Sequence, residues 1–94
     1  MKQPAIYFIT NYHNTTLYVG VTSKLQQRIY QHRTKKVKGF SCKYNLEKLV
    51  YFELFETMKE AILREKRLKN WQRAWKDRLI CELNPFWEDL YLSL

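Results

Sequence analysis

From Ala5 the chain runs apolar and β-branched through Ile6, Tyr7, Phe8 and Ile9 to Thr10, then turns polar from Asn11 to Thr15. A second run, Thr16 to Val21, follows at once. Two such runs so closely joined predict an antiparallel hairpin. Neither run alternates apolar with polar, so both sheet faces should be covered. A register with Tyr7 opposite Tyr18 would place both rings on one face with Ile9 and Gly20. Ser23, with Gln26 three residues on, has the pattern of a capping box. A helix from about Lys24 to Thr34 then puts Leu25, Ile29 and His32 on one stripe, with Arg28 at its edge. Lys35 to Tyr44 reads as a basic loop and Lys48 to Phe55 as a third strand. Thr57 can cap a second helix, with Glu60 at its third position. That helix should reach about Gln72 and bend or continue into a third, up to about Leu83. Asn84-Pro85 ends it, and the apolar, acidic tail from Phe86 to Leu94 should pack back on the body. The expectation is an α+β fold, a small three-stranded antiparallel sheet flanked by helices in the order β-β-α-β-α-α, as a single domain over residues 1–94.

Composition supports a packed domain. The 94 residues are 46% hydrophobic and 16% aromatic, with two Gly and two Pro, which leaves little room for linkers or disorder. The net charge of +8 adds a partner: a small, basic, aromatic-rich domain points to a polyanion, nucleic acid before a merely solvated basic surface. The charge is concentrated. Eight cations and one anion lie between Lys24 and Lys48, and eight more cations lie between Lys59 and Arg78. After Arg78 there are only anions, Glu82, Glu88 and Asp89. No run reaches membrane-spanning length and no signal peptide is visible, so a cytoplasmic protein without a membrane partner is expected. Cys42 and Cys81 show no metal-ligand spacing and are expected to be reduced and packed.

The packing stripes carry residues that packing alone does not call for. In the second helix Met58, Ala61, Leu68 and Gln72 share a stripe flanked by Trp71 and Trp75, and Glu65 lies inside it. An inward carboxylate is strongly unfavourable unless it is paired or bound to a metal. Glu65 is therefore either a partly exposed partner of a Lys or Arg, or a metal ligand in a cleft. Arg28 and His32, spaced i, i+4, either begin a solvated basic face continued by Arg33, Lys35 and Lys36, or form a phosphate site. Tyr7 and Tyr18 are sheet aromatics unless their hydroxyls reach the same cleft.

Taken together, Ala5-Ile6-Tyr7, Leu17-Tyr18-Val19-Gly20, Arg28, His32 and Glu65 resemble the GIY-YIG nuclease domain in order and spacing. The later stretch from Ala61 to Leu90 is similar to the short, stand-alone bacterial endonuclease branch of that superfamily. The resemblance implies a metal-dependent phosphodiesterase. Glu65 would hold one Mg²⁺ (or Mn²⁺), and Arg28 would balance charge on the phosphate. Tyr7, with Tyr18, would position or deprotonate the attacking water. His32 would assist that proton transfer or orient Tyr18. Gly20 would keep space for the phosphate. Three departures stand out. Ala5 replaces the leading Gly, Val21 stands where some relatives place a lysine, and the late asparagine of the pattern has no clear place: Asn70 comes early, and Asn84, taken here, equally reads as the helix C-terminal residue before Pro85. Nucleic-acid contacts are expected from Gly20, Arg33, Lys35, Lys36, Lys38 and Lys43, with DNA favoured over RNA. The oligomeric state is left open, a monomer included.

Two competitors come from other classes. A non-catalytic nucleic-acid-binding domain could keep the fold and use Phe40 and Tyr44 among Lys36, Lys38, Lys43 and Lys48 for stacking and backbone contacts. A subunit of a larger complex could dock through Trp71, Trp75 and Trp87. Metal binding and cutting separate the first reading from both.

Overall fold

The apolar runs on either side of the 11–15 turn form β1 (Ala5–Thr10) and β2 (Leu17–Thr22) in the computed structural model, which describes residues 2–35 and 39–94. The Asn11 side chain organises the turn: its Oδ1 accepts from the Thr15 and Thr16 amides at 2.9 and 3.1 Å. β3 (Lys48–Leu54) pairs with the other side of β1, giving an antiparallel sheet in the order β2-β1-β3. β1 is central, so all its residues are buried, as its unbroken apolar run requires.

The register differs from Tyr7 opposite Tyr18. Tyr7 faces Gly20, and Tyr18 faces Ile9. The shift is two residues, so the four still share a face. The cause is steric. A Cβ at position 20 would lie 2.8 Å from Tyr7 Cε1 and closer still to Cζ and Oη. Tyr7 needs a residue without a side chain across from it.

β3 carries a bulge. Phe8 pairs with Tyr51 and Ile9 with Leu49, leaving Val50 as the extra residue. Val50 and Tyr51 consequently both turn to the same core.

One face of the sheet, with Ala5, Tyr7, Ile9 and Leu49, packs on Leu25 and Ile29 of α1 (Leu25–Arg33) and on Leu46. The capping box at Ser23 is not formed: Lys24 is the N-cap residue and no side chain caps the helix. The chain is still held by the sheet edge there. The Ser23 carbonyl accepts from the Gln3 amide at 2.9 Å, and Thr22 Oγ1 accepts from the Lys24 amide at 3.0 Å. The expected basic loop contains a short helix, α2 (Phe40–Lys43).

The other face buries Ile6, Phe8, Val19, Val50 and Tyr51 against Ala61 and Leu68 of α3 (Met58–Lys69) and Ile80 of α4 (Arg73–Leu83). Thr57 caps α3 as expected, its Oγ1 accepting from the Glu60 amide at 3.2 Å and donating to Glu60 Oε1 at 3.0 Å. α3 stops at Lys69, short of Gln72. The Asn70 and Trp71 amides close its last turn on the Arg67 and Leu68 carbonyls, and an extended Gln72 starts α4. The tail returns as a 3-10 turn (Leu90–Ser93), with Leu90 and Tyr91 against the α1-side core. Trp71 and Trp87 are half-buried on the opposite core, while Trp75 is 49% exposed. Both cysteines are free thiols. Cys81 is exposed rather than packed, because α4 turns it outward, where its Sγ accepts from Trp87 Nε1 at 3.3 Å. No helix among the described residues is long and apolar enough to cross a membrane.

Candidate active site

The expected residues from β1, β2 and α1 meet on the α1 side of the sheet. Tyr7 Oη and His32 Nε2 are 3.0 Å apart and buried. Tyr18 completes a triangle of rings, with centroids 6.4 Å from Tyr7 and 6.1 Å from His32. The local reasons are simple. Tyr7, Tyr18 and Gly20 share a face by the period of two, and the glycine opens the space that the Tyr7 ring enters. His32 lies one turn beyond Arg28 and shares the buried stripe with Leu25 and Ile29.

The environment sets the protonation states. Burial pushes the Tyr7 hydroxyl up to about 12, although the neighbouring Arg28 guanidinium, by hydrogen bond and charge, opposes it. The Tyr18 hydroxyl and the Glu65 carboxylate push in the same direction as burial. Burial, joined by the Arg28 charge, lowers His32 to about 4. At neutral pH the pair is therefore a phenol beside a neutral imidazole. In the Nδ1-protonated tautomer, Tyr7 donates to His32 Nε2. Arg28 Nε is buried and has no hydrogen-bond partner among the described residues.

Glu65 arrives from α3, which packs along β2 and β1. Its side chain is only 13% exposed, and its charge is felt at Tyr7. The carboxylate pairs with Lys69 Nζ at 3.0 Å, and that ammonium lies 5.8 Å from the Tyr18 ring centroid. Lys69 escapes a reading by hydrophobic stripes. The i, i+4 spacing of Glu65 and Lys69 is the signal that carries it.

Other expected residues are engaged elsewhere. Asn84 is buried, but its Nδ2 donates to the Val50 and Glu88 carbonyls at 3.0 and 2.9 Å. Its Oδ1 accepts from the Glu88 amide at 3.0 Å. It satisfies the carbonyl of the bulged residue and fixes the turn after α4, and is not brought to the Tyr7 cluster. Arg33 is not a free cation. Its Nη1 contacts Asp89 Oδ2 at 2.5 Å and the Glu47 carbonyl at 3.1 Å, and its guanidinium stacks on Tyr91. Lys35 reaches Asn45 Oδ1 at 2.6 Å and Glu47 at 3.7 Å. Lys48 is buried, which lowers its pKa despite the opposing charge of Asp89. Lys43 is exposed, with its ammonium over the Tyr44 ring. Lys36 and Lys38 lie outside the described residues. Among the described residues, no group of three or more His, Cys, Asp and Glu side chains could hold a metal ion.

Comparison with known proteins gives the family and the fold. Residues 3–78 match the family model of the GIY-YIG catalytic domain. A UPF0213 protein of Bacillus pumilus is 32% identical over 82 residues, covering 87% of this chain and 84% of that protein. A UPF0213 protein of Clostridium perfringens is 38% identical over 77 residues, 78% of each chain. The solution NMR structure of a UPF0213 protein from Bacillus halodurans superposes with a TM-score of 0.58 at 22% identity, covering 93% of this chain and 92% of that one. At that identity the likeness carries the fold.

Proposed function

The chain belongs to the GIY-YIG family, and from that premise we propose that it is a metal-dependent endonuclease that hydrolyses phosphodiester bonds, in DNA before RNA. The observation that carries the reading is the buried 3.0 Å contact of Tyr7 and His32, with Arg28 beside it and the Glu65 carboxylate within electrostatic reach. A packing role alone gives no reason to bury a phenol against an imidazole beside a guanidinium.

Glu65 would hold the divalent cation. One largely buried carboxylate fits Mg²⁺ or Mn²⁺, which take few protein ligands and fill the rest of the shell with water and substrate phosphate. It does not fit a zinc-type cage, which needs three or four protein ligands. When bound, the cation would polarise the scissile phosphate and stabilise the departing oxygen.

This chain's own residues would do the rest. Arg28 would grip the non-bridging phosphate oxygens as negative charge grows on them. A water oxygen would attack phosphorus, and the bond to the 3′ oxygen would break. As the water loses its proton to Tyr7 Oη, Tyr7 would pass its own proton to His32 Nε2. The relay suits the resting states, because a phenol held near 12 is a poor base unless its proton has somewhere to go. Tyr18 would orient the water and close the ring triangle. Such a nuclease would work in the cytoplasm, on nucleic acid and without a membrane. Of the cations that the non-catalytic binder reading relies on, Lys48 is buried.

The test is a panel of labelled duplex, single-stranded and branched DNA and RNA, incubated with Mg²⁺, Mn²⁺ or EDTA. Cation-dependent cutting is expected on at least one substrate. Salt-sensitive binding without cutting on any of them would move the function to the binder.

A further inference from the structure

Arg28 also belongs to the wall of a cavity, 220 Å³ in volume, shared with Thr22, Ser23, Lys24, Gln27 and Gln31. No carboxylate stands in that wall, and every side chain in it carries an N–H or O–H donor. The side chains of Lys24 and Gln27 make no hydrogen bond or ion pair among the described residues. Arg28 Nε is buried without a partner, and Nη1 makes only a long 3.4 Å contact with Gln31 Oε1. α1 starts at this cavity with no side-chain cap and no acidic residue in its first turn, so its free amides and positive dipole end add to the field. A wall of two cations with hydroxyl and amide groups and no carboxylate, at the uncapped start of a helix, is suited to an anion.

We infer that this cavity is a second phosphate site, which takes a backbone phosphodiester flanking the scissile one, with Lys24 and Gln27 as its binding residues. Arg28 is shared by the two sites, so a flanking phosphate here would hold the guanidinium in place for the scissile phosphate at Tyr7. The choice of a nucleic-acid strand as the source of the phosphate rests on the function proposed above. The anion chemistry of the cavity does not.

The experiment is done without divalent cation. Inorganic phosphate is titrated into isotope-labelled protein while amide shifts are followed by NMR. A short labelled duplex is then titrated across a salt series. Shifts are expected at residues 24–28, and Gln27→Glu should remove them. Lys24→Ala should weaken duplex binding about fivefold at low salt and lower the salt slope by about one. Gln27→Glu should weaken it about tenfold. Lys59→Ala, which removes an equal charge from the exposed start of α3, should leave the slope in place. Amide shifts confined to other regions would overturn the site. Equal lowering of the salt slope by Lys24→Ala and Lys59→Ala would overturn the strand assignment, since any surface cation would then do the same. Phosphate shifts with duplex binding unchanged in both cavity variants would overturn the strand assignment and leave a free-phosphate site. Cutting by a protein whose duplex affinity ignores Lys24 and Gln27 would remove this inference and keep the nuclease.

Discussion

Tyr7 Oη and His32 Nε2 lie 3.0 Å apart in a buried pocket, one held as a phenol and the other as a neutral imidazole. The two come from β1 and α1, 25 residues apart in the chain. Burial dominates both shifts, raising the acid and lowering the base, so each group keeps its uncharged form across the neutral range.

That pairing makes stability depend on pH. His32 has its folded value at about 4 against an ordinary 6.5, so the unfolded chain binds the extra proton between those values. Stability contributed by the neutral imidazole is complete above about 6.5 and is lost as pH falls towards 4, by about 3 kcal/mol in all. Denaturant unfolding at neutral pH and near pH 4 should show this loss in the wild type. His32→Phe should show a loss smaller by about that amount.

Gly20 and Tyr7 should couple. Gly20→Ala places a methyl group inside the Tyr7 ring and should cost about 2 kcal/mol or more. In a Tyr7→Ala background the same change should be close to neutral, since the clash is gone. A double-mutant cycle read by thermal or urea unfolding measures the coupling. An equal cost in both backgrounds would show that the glycine serves something other than the ring.

Asn84→Ala should lower stability by about 2 kcal/mol, because it orphans the buried Val50 carbonyl and frees the turn after α4. Asn84→Asp should fare no better, since a carboxylate cannot donate to either carbonyl. Unfolding midpoints check both variants.

How much of this was legible along the chain depends on how local the cause is. The six elements of the predicted order, the α1 stripe and the Thr57 cap follow from periodicity and spacing, which act over a few residues, whereas the grouping of Tyr7, Tyr18, Arg28 and His32 came from the family resemblance. The hairpin register did not follow, because the choice between Tyr18 and Gly20 opposite Tyr7 depends on where one ring goes in three dimensions. The bulge at Val50, and with it the role of Asn84, depends on a contact spanning 34 residues. Arg33 looked like one more surface cation in a basic stretch. Its partner Asp89 lies 56 residues away in the acidic tail, and no local pattern joins them.

Arg33 therefore yields a prediction opposite to the one its basic setting suggests. Arg33→Ala should release the tail, since Asp89 also caps the Tyr91 and Leu49 amides at 3.1 and 3.2 Å. The expected cost is about 1–2 kcal/mol of stability, with faster hydrogen exchange at those amides. The salt slope of nucleic-acid binding should stay unchanged. A slope reduced by about one would instead mark Arg33 as a phosphate contact.

The decisive measurement is single-turnover cleavage of the preferred substrate, at protein concentrations that saturate binding, by the wild type, Glu65→Gln and Tyr7→Phe in Mg²⁺. If Tyr7, His32, Arg28 and Glu65 form one hydrolytic site, both variants should lose roughly a hundredfold or more in rate while binding the substrate as the wild type does. Cutting by Glu65→Gln and Tyr7→Phe at the wild-type rate would contradict that claim and place the chemistry elsewhere.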